Sequence, residues 1–299
     1  MDLTTAHQIS ALMERVVSLR ADGDLNEALR VADTVVVKSE HALSSDPDTR
    51  EAYVSALRLR GELDLELGSC ELACDDFNLA IEQLHGQSDS QVQIGQLYAL
   101  LGSSHDGCGQ PTLAAEHWRK AMVYFENQTP PPVLDIAAMA NNLGFLCKAA
   151  GDLGAAKNYF LKALDIVQSQ FGEEHEQTAT ICNNLGALYQ ASNLHQQALE
   201  MHTRALDTRR NLFGERNPDT AQSHNNLALA LFNTGDYEWP RRHFESALFG
   251  FQSLGKKYHD DLEVVALNYC DLLRIDGDHQ LAREIAERIE DVIGHPIGS

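Results

Sequence analysis

Between Thr180 and Ala191 the residues Cys182, Leu185, Gly186 and Tyr189 fall on one arc of a helix turning about 100° per residue, and Thr180, Asn183, Asn184, Ala187 and Ala191 fall on the opposite arc. A second helical segment follows at a fixed offset. Ala198, His202 and Ala205 stand twelve, sixteen and nineteen residues after Gly186. The same steps lead from Gly144 to Ala156, Phe160 and Ala163, from Gly102 to Ala114, Trp118 and Ala121, and from Gly61 to Ala73, Phe77 and Ala80. A small residue on the first helix lets the second approach, and a bulky one fills the space beside the contact. The dipeptide Asn-Asn marks the same phase at Asn141-Asn142, Asn183-Asn184 and Asn225-Asn226. Asn268 continues it alone, so Asn142, Asn184, Asn226 and Asn268 are 42 residues apart. A fixed period of this length predicts stacked helix pairs. Such a stack offers a long repeated surface, not one catalytic pocket.

Phasing on Val16, Gly61, Gly102, Gly144, Gly186, Ala228 and Cys270 gives seven pairs, the first three less regular. The turns between paired helices supply an independent check. Seven residues after each reference position stand Gly23, Gly68, Gly109, Gly151, Asn193, Gly235 and Gly277. Glycine and asparagine are the residues that tolerate the positive φ of a left-handed helix C-cap. The next positions read Asp24, Ser69, Gln110, Asp152, Leu194, Asp236 and Asp278, and five of these seven are good N-caps for the second helix. Pro218 behind Asn217 fits the first turn of a helix, and Pro240 is expected to make a local irregularity near the start of the sixth pair's second helix.

This combination resembles the tetratricopeptide repeat family, whose pattern is L-G-x2-Y followed by A-x3-F-x2-A. The resemblance can be phased over nearly the whole chain. It implies an all-α, right-handed superhelical solenoid of about seven helix-turn-helix repeats. Residues 1–127 are read as three degenerate repeats. Residues 128–132, with Thr129-Pro130-Pro131-Pro132, form a stiff junction. Residues 133–293 hold four regular repeats and 294–299 a tail. The regular pairs are longer than usual, with the extra length expected after the second helix, at Phe171-Gly172-Glu173-Glu174-His175 and Phe213-Gly214-Glu215-Arg216-Asn217. With the Asn-Asn dipeptides and Arg204–Arg210, these segments look like the kinesin-light-chain type of repeat, strongly over 133–255 and weakly to 293. That resemblance implies a groove that binds short peptides of partner proteins, with groove asparagines holding peptide backbone.

Charge narrows the partner. The net charge of −21 opposes binding to nucleic acid or anionic membrane and favours basic or neutral segments. Met1–Ser10 lacks the basic and apolar stretches of a secretory leader. No apolar run approaches the roughly 18 residues of a membrane span. Six scattered cysteines form no CxxC, which reads as a reduced, cytoplasmic setting.

The polar arc is the candidate binding face. It holds Asn141, Asn142 and Phe145 in the fourth pair, Asn183 and Asn184 in the fifth, Asn225, Asn226 and Leu229 in the sixth, and Asn268 in the seventh. An amide carries donors and an acceptor, so it can pair with both the N–H and the C=O of an extended peptide. Phe145 and Leu229 offer apolar contact. The same asparagines could instead bridge adjacent pairs by bonding a neighbouring helix end. Lys and Arg are scarce on this arc, Arg58 and Arg274 being isolated, so a clamp for an acidic tail is not expected. Cys70, Cys74 and His85 are the only hint of a metal site, and Cys147, Cys182 and Cys270 fall at packing positions. No nucleotide-binding or hydrolase motif occurs. The expected function is a non-enzymatic adaptor without cofactor or metal, binding a partner's peptide through the asparagine ladder. The alternatives are a scaffold self-assembling through its C-terminal end, where no capping helix follows residues 282–293, and a regulator that senses a peptide signal.

Overall fold

The seven positions expected to need a left-handed backbone all have it. φ is +81° at Gly23, +80° at Gly68, +69° at Gly109, +81° at Gly151, +57° at Asn193, +82° at Gly235 and +87° at Gly277. Asn193 is the telling case, being the one non-glycine residue with positive φ among the described residues. The computed structural model describes residues 3–44, 46–235 and 238–297, which contain fourteen α-helices and no strand. The turn chemistry repeats. At Asn193 the backbone N–H donates to the Gln190 carbonyl (3.0 Å), and the next N–H, of Leu194, reaches back to Tyr189 (2.8 Å). The same pair of bonds closes the turn at Gly277, through Arg274 and Leu273. These bonds satisfy carbonyls that the end of a helix leaves open.

The chain divides into two halves, Met1–Leu146 and Cys147–Ser299. The N-terminal half holds α1 (Leu3–Ala21), α2 (Leu25–Ala42), α3 (Pro47–Glu66), α4 (Cys70–Leu84), α5 (Gln91–Gly107), α6 (Pro111–Glu126) and most of α7 (Val133–Ala149). From α1 to α6 each helix packs on the next. The C-terminal half holds α8 (Leu153–Phe171), α9 (Glu176–Ala191), α10 (His195–Phe213), α11 (Pro218–Phe232), α12 (Glu238–Leu254), α13 (His259–Ile275) and α14 (His279–Ile293), again packed each on the next. No helix among the described residues is long and apolar enough to cross a membrane.

Small-against-large packing operates as the sequence pattern requires. A Cβ added at Gly61 would come within 2.6 Å of the Phe77 ring, and one at Gly186 within 2.6 Å of the His202 ring. One at Gly102 would penetrate the Trp118 indole. Phe77, Phe160 and Phe244 are fully buried, as are Cys182 and Cys270, whereas Cys147 is only partly so. The expected N-caps Asp24, Asp152 and Asp278 accept from the backbone N–H three residues on, at 3.4, 2.9 and 3.2 Å. Ser69, Gln110 and Leu194 occupy the cap position without a side-chain bond. Asp236 lies outside the described residues. Asn217 caps α11 twice, accepting from Asp219 (2.9 Å) and Thr220 (3.2 Å), with Pro218 taking the position whose N–H needs no partner. Asn217→Ala is expected to cost about 1 kcal/mol, read as a lower urea midpoint at unchanged m.

Two expectations need correction. The extra length of the regular pairs is itself helix: α8 and α10 run 19 residues each, against 15 in α4, and end only at Gly172 and Gly214 with φ of +84° and +75°. Pro240 sits buried at the third position of α12, where no intrahelical N–H bond is lost, so the helix runs on through it. At the far end, α14 turns Ala282, Ile285 and Ile289 inward and leaves Arg283, Glu284, Glu287 and Arg288 exposed. The last helix thus carries its own polar outer face.

Candidate functional site

In the C-terminal half the first helices α9, α11 and α13 lie side by side and bring the predicted asparagines together. The contacts are rungs. Asn226 Nδ2 donates to Asn183 Oδ1 at 2.8 Å, and Asn268 Nδ2 donates to Asn225 Oδ1 at 3.1 Å. Asn226, second of its dipeptide, and Asn268, which stands alone, each reach the first asparagine of the dipeptide before, so the bonded period is 43 residues and not 42. Asn226 and Asn268 therefore bridge adjacent pairs, side chain to side chain. Gln222 Nε2 donates to Asn226 Oδ1 at 3.0 Å and extends the row. Asn184 and Asn225 are buried, while Asn183, Asn226, Asn268 and Leu229 are half-buried. Leu229 leans on the core built from α11 to α14. In the N-terminal half Asn141 and Asn142 lie half-buried on α7, and Phe145 is 42% exposed.

Sequence reasoning missed the residues that hold these rungs. His202 occupies the aromatic position filled by Phe77, Trp118, Phe160 and Phe244 in other pairs, and that departure was the available signal. Its Nδ1 lies 3.2 Å from Asn183 Oδ1 and its Nε2 lies 3.1 Å from the Gln190 amide. Burial, with Lys148 nearby, pushes His202 down to about 4, so the ring is neutral and donates through one nitrogen only. Nδ1–H donating to Asn183 leaves Nε2 as an acceptor, which requires the Gln190 NH2 to face it.

Arg209 is another. It is 6% exposed and donates to Ser223 Oγ (2.9 Å), the Asp219 carbonyl (3.3 Å) and Thr180 Oγ1 (3.2 Å). The Asp219 carboxylate stays 3.9 Å away, and burial holds the guanidinium below its ordinary value. Thr180, placed on the binding arc by the sequence, is thus engaged with Arg209. A histidine pair joins α11 to α12: His224 Nδ1 and His243 Nδ1 are 2.8 Å apart, and Glu215 Oε2 lies 3.0 Å from His224 Nε2. A carboxylate at that distance calls for Nε2–H, which leaves His224 Nδ1 to accept from His243. Burial lowers His224, and burial with His224 and Arg210 nearby brings His243 down to about 4.

The metal hint does not assemble. Cys70 opens α4 and His85 ends it, about 20 Å apart along the helix axis. Cys74 instead approaches His105 (Sγ to Nε2 3.9 Å), and no group of three or more ligating side chains that could hold a metal forms among the described residues.

Residues 135–211 and 183–253 match the family model described as tetratricopeptide repeat. A comparison with curated proteins finds no match. Among solved structures the chain is similar to the apo form of RapI, with a TM-score of 0.70 and 12% identity over 95% of this chain and 97% of that one. It is similar to BtubC (BKLC) from P. vanneervenii, with a TM-score of 0.65 and 20% identity over 77% of this chain and 91% of that one. It is also similar to nearly identical TPR-like repeats of a Podosopora anserina protein described as a kinesin light chain. There the TM-score is 0.58, with 16% identity over 68% of this chain and 95% of that one.

Proposed function

We propose that this tetratricopeptide repeat protein, of the kinesin-light-chain-like subtype, is a non-enzymatic adaptor that binds an extended peptide segment of a partner protein along its first-helix face. The observation that carries the reading is the unused capacity of the rungs. An amide offers two N–H donors and an oxygen with two lone pairs. The rung to Asn183 takes one N–H of Asn226, and Gln222 takes one lone pair of its oxygen. Bridging therefore orients the amides and leaves the second N–H and second lone pair of Asn226 for a peptide backbone, whereas Asn183 Oδ1 is filled by Asn226 and His202. Holding them in place before binding lowers the ordering cost of association.

Charge and apolar contacts complete the proposal. Arg58 is engaged by Glu62 (2.9 Å) and Gln96 (3.2 Å), and Arg274 by Asp271 (2.9 Å), which leaves no pair of cations for an acidic tail. With a net charge of −21, the favoured segment is basic or neutral. Phe145 and Leu229 are proposed to touch its side chains, and Asn141, Asn142, Asn183, Asn184, Asn225, Asn226 and Asn268 its backbone. The charged outer face of α14 favours an adaptor over a scaffold assembling through that end.

The test is affinity purification followed by mass spectrometry, comparing wild type with Asn142/Asn184/Asn226/Asn268→Ala of verified helicity. Val123→Ser, at an exposed site on α6, is the control. At about 1 kcal/mol per lost amide contact, the quadruple variant is expected to bind on the order of 10³-fold more weakly. The control should bind as wild type does. Equal recovery by all three proteins would move the interface off this face and leave the asparagines as bridges alone.

A further inference from the structure

Four cysteines are not buried in the core, and two of them meet. Cys70 is the first residue of α4, just after the turn at Gly68, and Cys108 is the C-cap of α5, just before the turn at Gly109. The two turns belong to successive pairs, and α4 packs on α5. The Cys70 side chain is close enough to Cys108 to bear on its thiol. Cys70 Cβ is 4.0 Å from where a Cβ on Gly107 would stand. Both thiols are partly exposed and line one surface depression with Ser69, Glu71 and Gln110. Repeat packing does not account for them, because no other pair has cysteine two residues after or one residue before its turn position.

We propose that Cys70 and Cys108 form a modification site, at which a low-molecular-weight disulfide installs an intramolecular disulfide that staples the second helix pair to the third. The Cys70 thiolate attacks one sulfur of the small disulfide, forming a mixed disulfide, and the first small thiolate leaves with the electron pair of the broken S–S bond. Cys108 then loses its proton to solvent, its thiolate attacks Cys70 Sγ, and the second small thiolate leaves. Two protein thiols are oxidised and one small disulfide is reduced to two thiols, so protons and electrons balance.

The surroundings favour a bond that closes slowly and lasts. The adjoining Cys70 thiol, with partial burial and the charge of Glu71, pushes Cys108 up to about 11. The scarcity of the Cys108 thiolate slows its closing attack on the mixed disulfide. A thiol of high pKa is also a poor leaving group, so the finished bond resists reduction. Cys74, one helical turn beyond Cys70, faces His105 instead and stays outside the reaction. The staple closes the loop from residue 70 to 108 and would hold both turns together through any opening of that edge.

The test treats the full-length protein with oxidised glutathione in a defined glutathione redox buffer, followed by alkylation and non-reducing peptide mapping. The expected product is a Cys70–Cys108 cross-linked peptide with Cys74 still alkylated. Its formation should be accompanied by a rise of several degrees in Tm that a reductant reverses. Cys74→Ser should retain the cross-link, and Cys108→Ser should stop at a glutathione adduct on Cys70. The primary readout is on wild type, so a poorly folded variant does not obscure it. A stable glutathione adduct on wild type, a Cys70–Cys74 bond, an intermolecular dimer, or no reaction at a potential that oxidises exposed dithiols would each overturn the proposal.

Discussion

Gly102→Ala lowers stability by roughly 2 kcal/mol, and Gly102→Leu by more than about 3 kcal/mol, because the packing cost at this position exceeds the gain in helix propensity. In an exposed helix interior, replacing glycine with alanine stabilises by about 1 kcal/mol. At Gly102 the new Cβ would penetrate the Trp118 indole, which is 3% exposed and tied by its own N–H to the Ala99 carbonyl at 3.1 Å. The ring cannot retreat without breaking that bond or opening the α5–α6 contact. Gly154 provides the opposite case. It is exposed in the first turn of α8, and an added Cβ would meet only Asp152 Oδ1 at an ordinary 3.7 Å. Gly154→Ala should therefore stabilise by about 0.5–1 kcal/mol. Urea unfolding of both variants measures the difference. A double variant, Gly102→Ala with Trp118→Leu, should recover part of the loss, since contacting residues do not add. If Gly102→Ala were as stable as wild type, small-against-large packing would not be what sets the distance between paired helices.

Why some features could be read from the chain and others could not follows from the range of the forces involved. The turn at Asn193 and its six counterparts could be placed because a positive φ is a demand of the local backbone, met by few residue types. The Gly186–His202 approach could be placed because it recurs at the same offset in pair after pair. The rungs could not. Asn226 bonds Asn183 across 43 residues, one off the repeat, because a side-chain amide reaches back along the neighbouring helix instead of straight across. Arg209 was equally hidden. Beside Arg210 it looks like half of a solvated pair, yet only the fold shows that the space between α9 and α11 takes one guanidinium and leaves the other outside. The length of α8 and α10 was misjudged for a related reason. The repeat pattern ends at Ala163 and Ala205, but nothing stops the helix until a glycine does.

Acidification from pH 7 towards pH 4 should weaken the C-terminal half, and His202 should account for a measurable share. In the unfolded chain a histidine takes up its proton near pH 6.5. In the folded protein burial delays protonation of His202 to about 4. Its stabilising contribution is therefore fully present above pH 6.5 and is lost as pH falls through the interval down to about 4, the unfolded state binding the extra proton. The full swing is about 3 kcal/mol. His243, held down to about 4 by burial with His224 and Arg210 nearby, against the opposing pull of Glu215, adds in the same direction. An opposing effect comes from the 44 carboxylates, whose protonation at the acid end relieves the self-repulsion of a chain at −21. The difference between wild type and His202→Phe isolates the imidazole, since phenylalanine already fills the equivalent site at Phe160 and Phe244 and keeps a ring against Gly186. The variant forfeits the bonds to Asn183 and Gln190, so it is expected to be less stable than wild type at pH 7.5 and to close that gap by pH 5. The unfolding free energy of wild type should fall more steeply with acid, by up to one proton's worth of slope, while Asn183 keeps its bond from Asn226 in both proteins. A wild-type stability that instead falls less steeply than the variant's from pH 7.5 to 5 would mean that His202 is already protonated in the fold, donating from both nitrogens to Asn183 and Gln190. The rung at Asn183 would then carry a buried positive charge and would select an acidic peptide, the reverse of the partner proposed above.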